Sequence, residues 1–436
     1  MDKLNAMKGK LCSCGKVHDY ALRVHTGAGA VNYLPALIKE LGGSKVYLLS
    51  DKNTFAAAGD RVCCLLNEAK IPYASHSFRE ETLEPDEKSV GSAIMHFKKD
   101  CDIIVGVGSG VINDIGKIVS VTTGKPYVIV ATAPSMDGYA SASSSMTLDG
   151  LKISLPSRDA DAIIGDTEIL CSAPLNMMKS GLGDMIAKYT SICEWRIAHL
   201  ITGEYYCEEI AELIRQAVRT CVSNADGLLK RDPVAVQAVF EGLVIGGIAM
   251  NYAGVSRPAS GVEHYISHVL DMRGVEYHIP VELHGIQCAV GTLIAIRLYE
   301  KLVAITPNRE KALAYAKRFD YASWAETLRK LLGKGAESMI ALETKEKKYD
   351  VQLHEKRLEI ILKNWDAILQ IIREELPAAK ELEQLLTTIE APKSLTGIGV
   401  SEDMLPTVFQ ATKDIRDKYV LSRLCWDLGI MEEIIG

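Results

Sequence analysis

Three aliphatic runs limit what the first third of this chain can become. KVYLLSD (45–51), DIIVGVGSG (102–110) and PYVIVAT (126–132) are nearly continuous in Val, Ile and Leu. Such strands are buried on both faces, as in a parallel sheet covered by helices. Helical text lies between and beside them: TFAAAGDRVCCLLNEAK (54–70), EKSVGSAIMHFKKD (87–100) and VINDIGKIVSVTTG (111–124). IPYASHSF (71–78) and DAIIGD (161–166) add two more strands. SSMTLDGLKISL (144–155) alternates polar and apolar residues around Asp149-Gly150, which predicts a hairpin. After about residue 170 long helical segments run to the end, broken by Pro233, Pro258, Pro280 and Pro307. The expected fold class is α/β: a Rossmann-like parallel-sheet domain over 1–168, then an all-α domain over 169–436. The charge-laced stretch 337–376 reads as solvated helices packed on that second domain rather than as a coiled coil.

Composition narrows the function. Among 436 residues the formal net charge is -7, and no basic patch of the kind that binds nucleic acid is present. No apolar run approaches the roughly 18 residues of a membrane span, so none is expected. MDKLNAMKGK lacks the apolar centre of a signal peptide, and a cytoplasmic protein is expected. The chain has eleven cysteines. Most, such as Cys193, Cys221 and Cys288, stand singly and read as small buried hydrophobes. LCSCGKVH groups Cys12, Cys14 and His18. Three donors at an unusual spacing are one short of a tetrahedral structural zinc set, so no functional metal is expected there.

The run VGVGSGVINDIGK (105–117) passes from strand to helix through Gly106, Gly108 and Gly110. Glycines let backbone approach a ligand, and helix N-terminal amides bind phosphate or pyrophosphate. The spacing Gly-x-Gly-x-Gly differs from the usual dinucleotide fingerprint, although the context is right. Asp51 ends its strand, where a carboxylate either accepts from a ribose or caps the next helix. TAPSMDGYASASS (132–144) lies beyond a strand's carboxyl end, where open parallel sheets bind ligands. Its Thr132, Ser135 and Ser141 are candidate donors, and Asp137 is an isolated carboxylate.

In the helical half, Asp184 follows Gly181-Leu182-Gly183 and reads as the opening of a helix. His264 and His268 sit one turn apart, and His284 precedes an apolar helix. A carboxylate with two imidazoles makes a three-donor catalytic set for Zn²⁺, Ni²⁺ or Fe²⁺. With ten histidines in the chain, His199, His278 and His354 are alternatives on chemistry alone. There is no HExxH, which excludes that protease motif.

Taken in order, GVGSGVINDIGK, TAPSMDGYAS, DTEIL, SGLGDMIAK, SRPASGVEHYISH and HGIQCAVG resemble the sn-glycerol-1-phosphate dehydrogenase family. That family lies within the iron-type alcohol dehydrogenase, glycerol dehydrogenase and dehydroquinate synthase superfamily. The resemblance covers about residues 20–300 and leans to the bacterial branch. It implies an NAD- or NADP-linked interconversion of dihydroxyacetone phosphate and sn-glycerol 1-phosphate, a step of phospholipid metabolism. It implies one divalent metal, zinc or nickel, on Asp184, His264 and His284. It gives Asp137, Asp184 and His268 to the substrate, with Asp184 and His268 catalytic. It gives Asp51, Gly108, Ser109, Gly110, Val111, Ile112, Thr132, Ala133, Pro134, Ser135 and Ser141 to the cofactor. Arg257 is a guess for the substrate phosphate. A homodimer or larger homo-oligomer is implied. Alternatives on the same fold are a glycerol dehydrogenase and a dehydroquinate synthase-like enzyme; a non-catalytic nucleotide-binding regulator is the reading of another class.

Overall fold

The computed structural model describes Leu4 and residues 7–436. The reading of the first ten residues as lacking a signal-peptide centre lies partly outside them. Two compact units form: one from residues 1–185 and 212–254, the other from 186–211 and 255–436.

The first unit is built on a six-stranded sheet of β3 (Arg23–Gly27), β4 (Val46–Asp51), β5 (Tyr73–Phe78), β6 (Ile103–Gly108), β7 (Tyr127–Ala131) and β10 (Ala162–Asp166). Its order is β3-β10-β7-β6-β4-β5, and every pairing is parallel. The aliphatic strands β6 and β7 are buried throughout, as their composition requires. The expected hairpin forms from β8 (Ser143–Leu148) and β9 (Leu151–Pro156). Asp149 and Gly150 turn it at φ 52° and 74°, the positive values a tight hairpin turn needs. A smaller hairpin, β1 (Lys10–Leu11) with β2 (Val17–His18), precedes the sheet.

The division of the chain differs from a boundary at 168/169. The helix that brings 212–254 back into the first unit is Pro233–Ala253. Pro233 sets its first turn, Asp232 caps it through the amides of Val234 and Ala235, and Gly254 ends it at φ 71°. Phe240 fills the space over Gly165 of β10, and Asn251 donates to the Ala140 carbonyl at 2.7 Å. Packing on the sheet therefore overrides the helical text around it. This helix is also long and apolar enough, by length and composition, to cross a membrane, contrary to the expectation that no run is. Of its most apolar window, 67% is buried inside the protein. It also carries Glu241, which accepts from Thr26 at 2.7 Å. It is a core helix of the first unit.

The second unit is helical. Its core runs from Cys193 to Ile434 and takes in Met339, Leu358, Ile361, Ile368 and Ile372. These residues come from Ala336–Glu346, Val351–Lys363 and Trp365–Glu375. The 337–376 stretch thus folds as separate helices with one apolar face each, packed on the unit that contains them.

Candidate active site

The candidate residues and their neighbours lie on or beside α1 (Gly110–Thr123), α2 (Leu175–Ile186), α3 (Lys188–Thr202), α4 (Pro233–Ala253), α5 (Val262–Tyr277) and α6 (His284–Leu302).

In the first unit, β6 runs through Ser109 into α1. The glycines of this turn have packing reasons of their own. A Cβ on Gly106 would stand 2.5 Å from the Tyr127 hydroxyl, and one on Gly108 would stand 2.4 Å from Ile112 Cβ. Only at Gly110 is the neighbour the flexible Met136 side chain, at 3.3 Å. Ser109 does not cap α1 with its side chain, so the first amides of α1 are presented at the turn. The Thr132 amide donates to the Gly108 carbonyl at 3.0 Å, which sets the 132–135 segment beside the turn. Gly108, Ser109, Gly110, Val111 and Ile112 therefore adjoin Thr132, Ala133, Pro134 and Ser135.

Lys117 holds the rest of that loop, which spacing gave no reason to suspect. It is fully buried on α1. Its ammonium donates to the carbonyls of Gly138 (3.2 Å), Ser141 (3.4 Å) and Ser143, and pairs with Asp114 at 3.2 Å. Asn113 adds a bond to the Gly138 carbonyl at 3.0 Å. Ser141 directs its hydroxyl inward, to the carbonyls of Gly138 and Ser143 at 3.2 and 3.0 Å, so the structure gives it a loop-shaping part. Asp51 realises its capping reading: Oδ1 accepts from the amides of Asn53 and Thr54 at 2.8 and 2.9 Å.

Asp184 does not open a helix. It lies in the last turn of α2, fully buried. Gly181 is helical because α2 must lie directly on the 132–144 loop: a Cβ there would fall 1.8 Å from the Pro134 carbonyl oxygen. That approach lets the Asp137 amide donate to Asp184 Oδ2 at 2.9 Å. Gly181→Ala should cost about 3 kcal/mol by overpacking backbone, read as a lower midpoint in thermal unfolding. An unchanged midpoint would refute the contact.

In the second unit, α5 carries His264 and His268, and α6 begins at His284. The helices pack closely because Gly291 of α6 leaves room for the Glu263 backbone, 2.8 Å from where its Cβ would stand. His264 and His284 meet edge-to-face, ring centres 5.1 Å apart. His268 stacks toward His284 at 6.1 Å. The ligand atoms of His264, His284 and Cys288 lie within 4.8 Å of one another, so Cys288 is more than a buried hydrophobe. Burial pushes its thiol up, but the two imidazoles outweigh that and hold it below its usual range. His268 is held well below the ordinary histidine range, first by burial and then by the positive charge of Arg416.

Both imidazoles facing this cluster are oriented from behind. His264 Nδ1 meets Glu263 Oε1 at 2.7 Å, and His284 Nδ1 meets Ser267 Oγ at 3.0 Å. With Nδ1 so engaged, Nε2 is the nitrogen that would ligate a metal in each ring, and His284 Nε2 also lies 3.6 Å from Cys288 Sγ. Glu263 is itself fixed by the Gly261 amide at 2.7 Å and by Thr190 of α3. Glu194 of α3, buried beside it, accepts from the amides of Val262 and Leu421 at 2.9 and 2.8 Å. Burial and the Glu263 charge push Glu194 up to about 8. Neither acid was legible as functional, although Glu263 stands next to His264 in the sequence. Replacing Glu263 by Gln should weaken metal binding by about 10–100-fold, by analogy with other carboxylate–histidine–metal pairs. Competition against a chelator of known affinity measures this, and equal affinities would rule out the orienting role.

The other candidates resolve differently. His354 is fully buried, with Nε2 bonded to the Asp427 carbonyl at 2.8 Å. His278 ends α5 in a left-handed conformation, φ 53°. His199 Nδ1 bonds the Glu204 carbonyl. Arg257 is buried and committed: it pairs with Glu204 at 2.8 Å and donates to the Tyr419 carbonyl at 2.9 Å. These partners occupy its guanidinium, which argues against the expected contact with a substrate phosphate.

A family model described as iron-containing alcohol dehydrogenase matches residues 25–174. Glycerol-1-phosphate dehydrogenase [NAD(P)+] of Halalkalibacterium halodurans is 32% identical over 66% of this chain and 74% of its own length. The enzyme of the same name from Bacillus licheniformis is 32% identical over 74% and 83%. The one from Methanosarcina mazei is 35% identical over 58% and 69%. Among solved structures, a probable glycerol dehydrogenase from Sinorhizobium meliloti superposes with a TM-score of 0.59 at 18% identity, covering 95% of this chain and 97% of that one. An iron-containing alcohol dehydrogenase from Thermococcus thioreducens gives 0.60 at 14% identity, covering 96% and 99%. The chain belongs to the glycerol-1-phosphate dehydrogenase family, within the iron-containing alcohol dehydrogenases.

Proposed function

We propose that this chain is a metal-dependent, NAD(P)-linked dehydrogenase that interconverts dihydroxyacetone phosphate and sn-glycerol 1-phosphate. The observation that carries the reading is its kinship with bacterial and archaeal enzymes of that name. Asp184, His264 and His284 are the proposed metal ligands. Two oriented imidazoles support this assignment, and a buried carboxylate with two imidazoles suits Zn²⁺ or Ni²⁺. When bound, the ion supplies Lewis acidity at the ketone oxygen and NAD(P)H supplies the hydride.

The chain's own residues bind, align and move the proton. The α1 amides at Gly110 to Ile112 receive the cofactor's pyrophosphate, with Gly108, Ser109 and the Thr132–Ser135 segment alongside. Asp51 meets the ribose through the oxygen its cap does not use, and Ser141 keeps the loop in shape. Asp137 and Asp184 contact the substrate. His268, held neutral, hydrogen-bonds the reacting oxygen through its N–H and relays a solvent proton to it, taking one up at its other ring nitrogen as it gives one. We read the enzyme as cytoplasmic and as a homodimer or larger oligomer, and sedimentation tests the second point.

The test is NADH and NADPH oxidation with dihydroxyacetone phosphate, with and without chelator, followed by chiral assay of the product. Turnover should vanish on chelation and return with Zn²⁺ or Ni²⁺. No metal-dependent turnover would sink the reading. A second reading is favoured by the fold shared with a probable glycerol dehydrogenase. Activity on free glycerol with none on the phosphate ester would establish it.

A further inference from the structure

The LCSCGKVH segment lies before the residues matched by the family model, and the active site leaves it unused. It folds as the β1–β2 hairpin, with Lys10 opposite His18 and Leu11 opposite Val17. The Cys12 amide donates to the Lys16 carbonyl at 2.8 Å and the Gly15 amide to the Cys12 carbonyl at 2.9 Å. Gly15 takes φ 83°, which closes the turn and brings Cys14 back over the strands. Two residues per strand cannot hold a hairpin in water without help. Apolar packing of the strands does not supply it: Leu11 is 75% exposed and Val17 58%. The buried side chains are Cys12 and His18, at 6% and 2% exposure.

This reverses the usual burial order of a hairpin. The apolar residues face water while two thiols and an imidazole converge. The ligand atoms of Cys12, Cys14 and His18 lie within 4.8 Å of one another, and Cys14 Sγ is 3.4 Å from His18 Nε2. Around a tetrahedral zinc, with Zn–S about 2.3 Å and Zn–N about 2.0 Å, a sulfur and a nitrogen stand roughly 3.5 Å apart. The His18 ring is steadied by stacking on Tyr252 of α4, centres 5.0 Å apart. We propose that Cys12, Cys14 and His18 bind a structural zinc ion, separate from the catalytic metal, that fastens the N-terminal hairpin to the first unit. Two thiolates with an imidazole favour Zn²⁺ over Mg²⁺ or Ca²⁺. Three donors come from the hairpin, and a further donor completes the tetrahedron.

Metal analysis of the purified, reduced wild-type chain should find two equivalents. Cys12→Ser/Cys14→Ser should lose one of them, keep the other and keep dehydrogenase turnover, but unfold at lower temperature. Cobalt substitution gives a second readout that needs no hairpin variant. Wild type should show the thiolate-to-cobalt charge-transfer band, and Cys288→Ser should retain it, because Cys288 lies beside the catalytic histidines. A wild-type cobalt protein without the band would overturn the proposal. So would a band abolished by Cys288→Ser, or a Cys12→Ser/Cys14→Ser protein with full metal content. In those cases the 3.4 Å contact is an S–H···N hydrogen bond only. If the double variant does not fold, the wild-type and Cys288→Ser spectra decide. These readouts are metal content and absorbance, so they stand or fall independently of which substrate the enzyme turns over.

Discussion

His264→Ala should lose the catalytic metal and at least about a thousandfold in turnover, whereas His268→Ala should keep the metal and lose turnover about 10²–10⁴-fold. The two residues stand one turn apart on α5, yet their surroundings differ. His264 has Glu263 behind it at 2.7 Å, which fixes its ring and raises its basicity. For His268, burial and the nearby charges of Arg416 and Lys418 disfavour the imidazolium. A histidine held below its ordinary range stays neutral down through that range as pH falls. The wild-type rate should therefore show no break at the ordinary histidine pKa of about 6.5. Metal content by mass spectrometry and steady-state rates from pH 5 to 9 test both statements. If both variants lose metal alike, the residues form a simple ligand pair. If a break near pH 6.5 disappears in His268→Ala, the neutral assignment fails.

What the sequence disclosed follows from where each signal is written. β4, β6 and β7 were legible because burial on both faces demands aliphatic residues in a row. β3 was missed because it is an edge strand: Arg-Val-His-Thr-Gly is polar and half-exposed, and only its pairing with β10 makes it a strand. Asp184 lies at the end of its helix and not at the start that its sequence context suggests. Gly181-Leu182-Gly183 reads as the opening of a helix, whereas Gly181 sits within α2, where the Pro134 carbonyl leaves no room for a Cβ, a contact no local pattern encodes. Gly106 and Gly108 carry two signals at once. They suggest a ligand turn, and Tyr127 and Ile112 also exclude a side chain there. Glu263 escaped because helical spacing looks for partners three or four residues away, and its bond to His264 is to the adjacent residue. The available sign of Lys117 was a lysine among Ile112, Ile115 and Val119, three residues after Asp114, with which it pairs.

Lys117→Met should destabilise the protein by about 3–5 kcal/mol, the range for removing one partner of a buried ion pair, and should raise the KM for NADH. Met nearly preserves the volume of the side chain, so a cavity would not be the cause. What is lost is the ammonium that pairs with Asp114 and gathers the carbonyls of Gly138, Ser141 and Ser143. Those residues flank Asp137 and follow the Thr132–Ser135 segment, so slack in the loop reaches the proposed cofactor contacts first. The pH dependence separates charge from hydrogen bonding. Burial already pushes the Asp114 carboxyl up, and Lys117 pulls against it. Without the lysine, native Asp114 holds its proton to still higher pH than the unfolded chain does. Stability of the variant relative to wild type should then fall as pH rises above the ordinary carboxylate range, and the deficit should shrink toward pH 5. Unfolding midpoints of both proteins across pH 5–8 measure this. A deficit that is constant over that range would assign the loss to the abandoned carbonyls and not to the unpaired carboxylate.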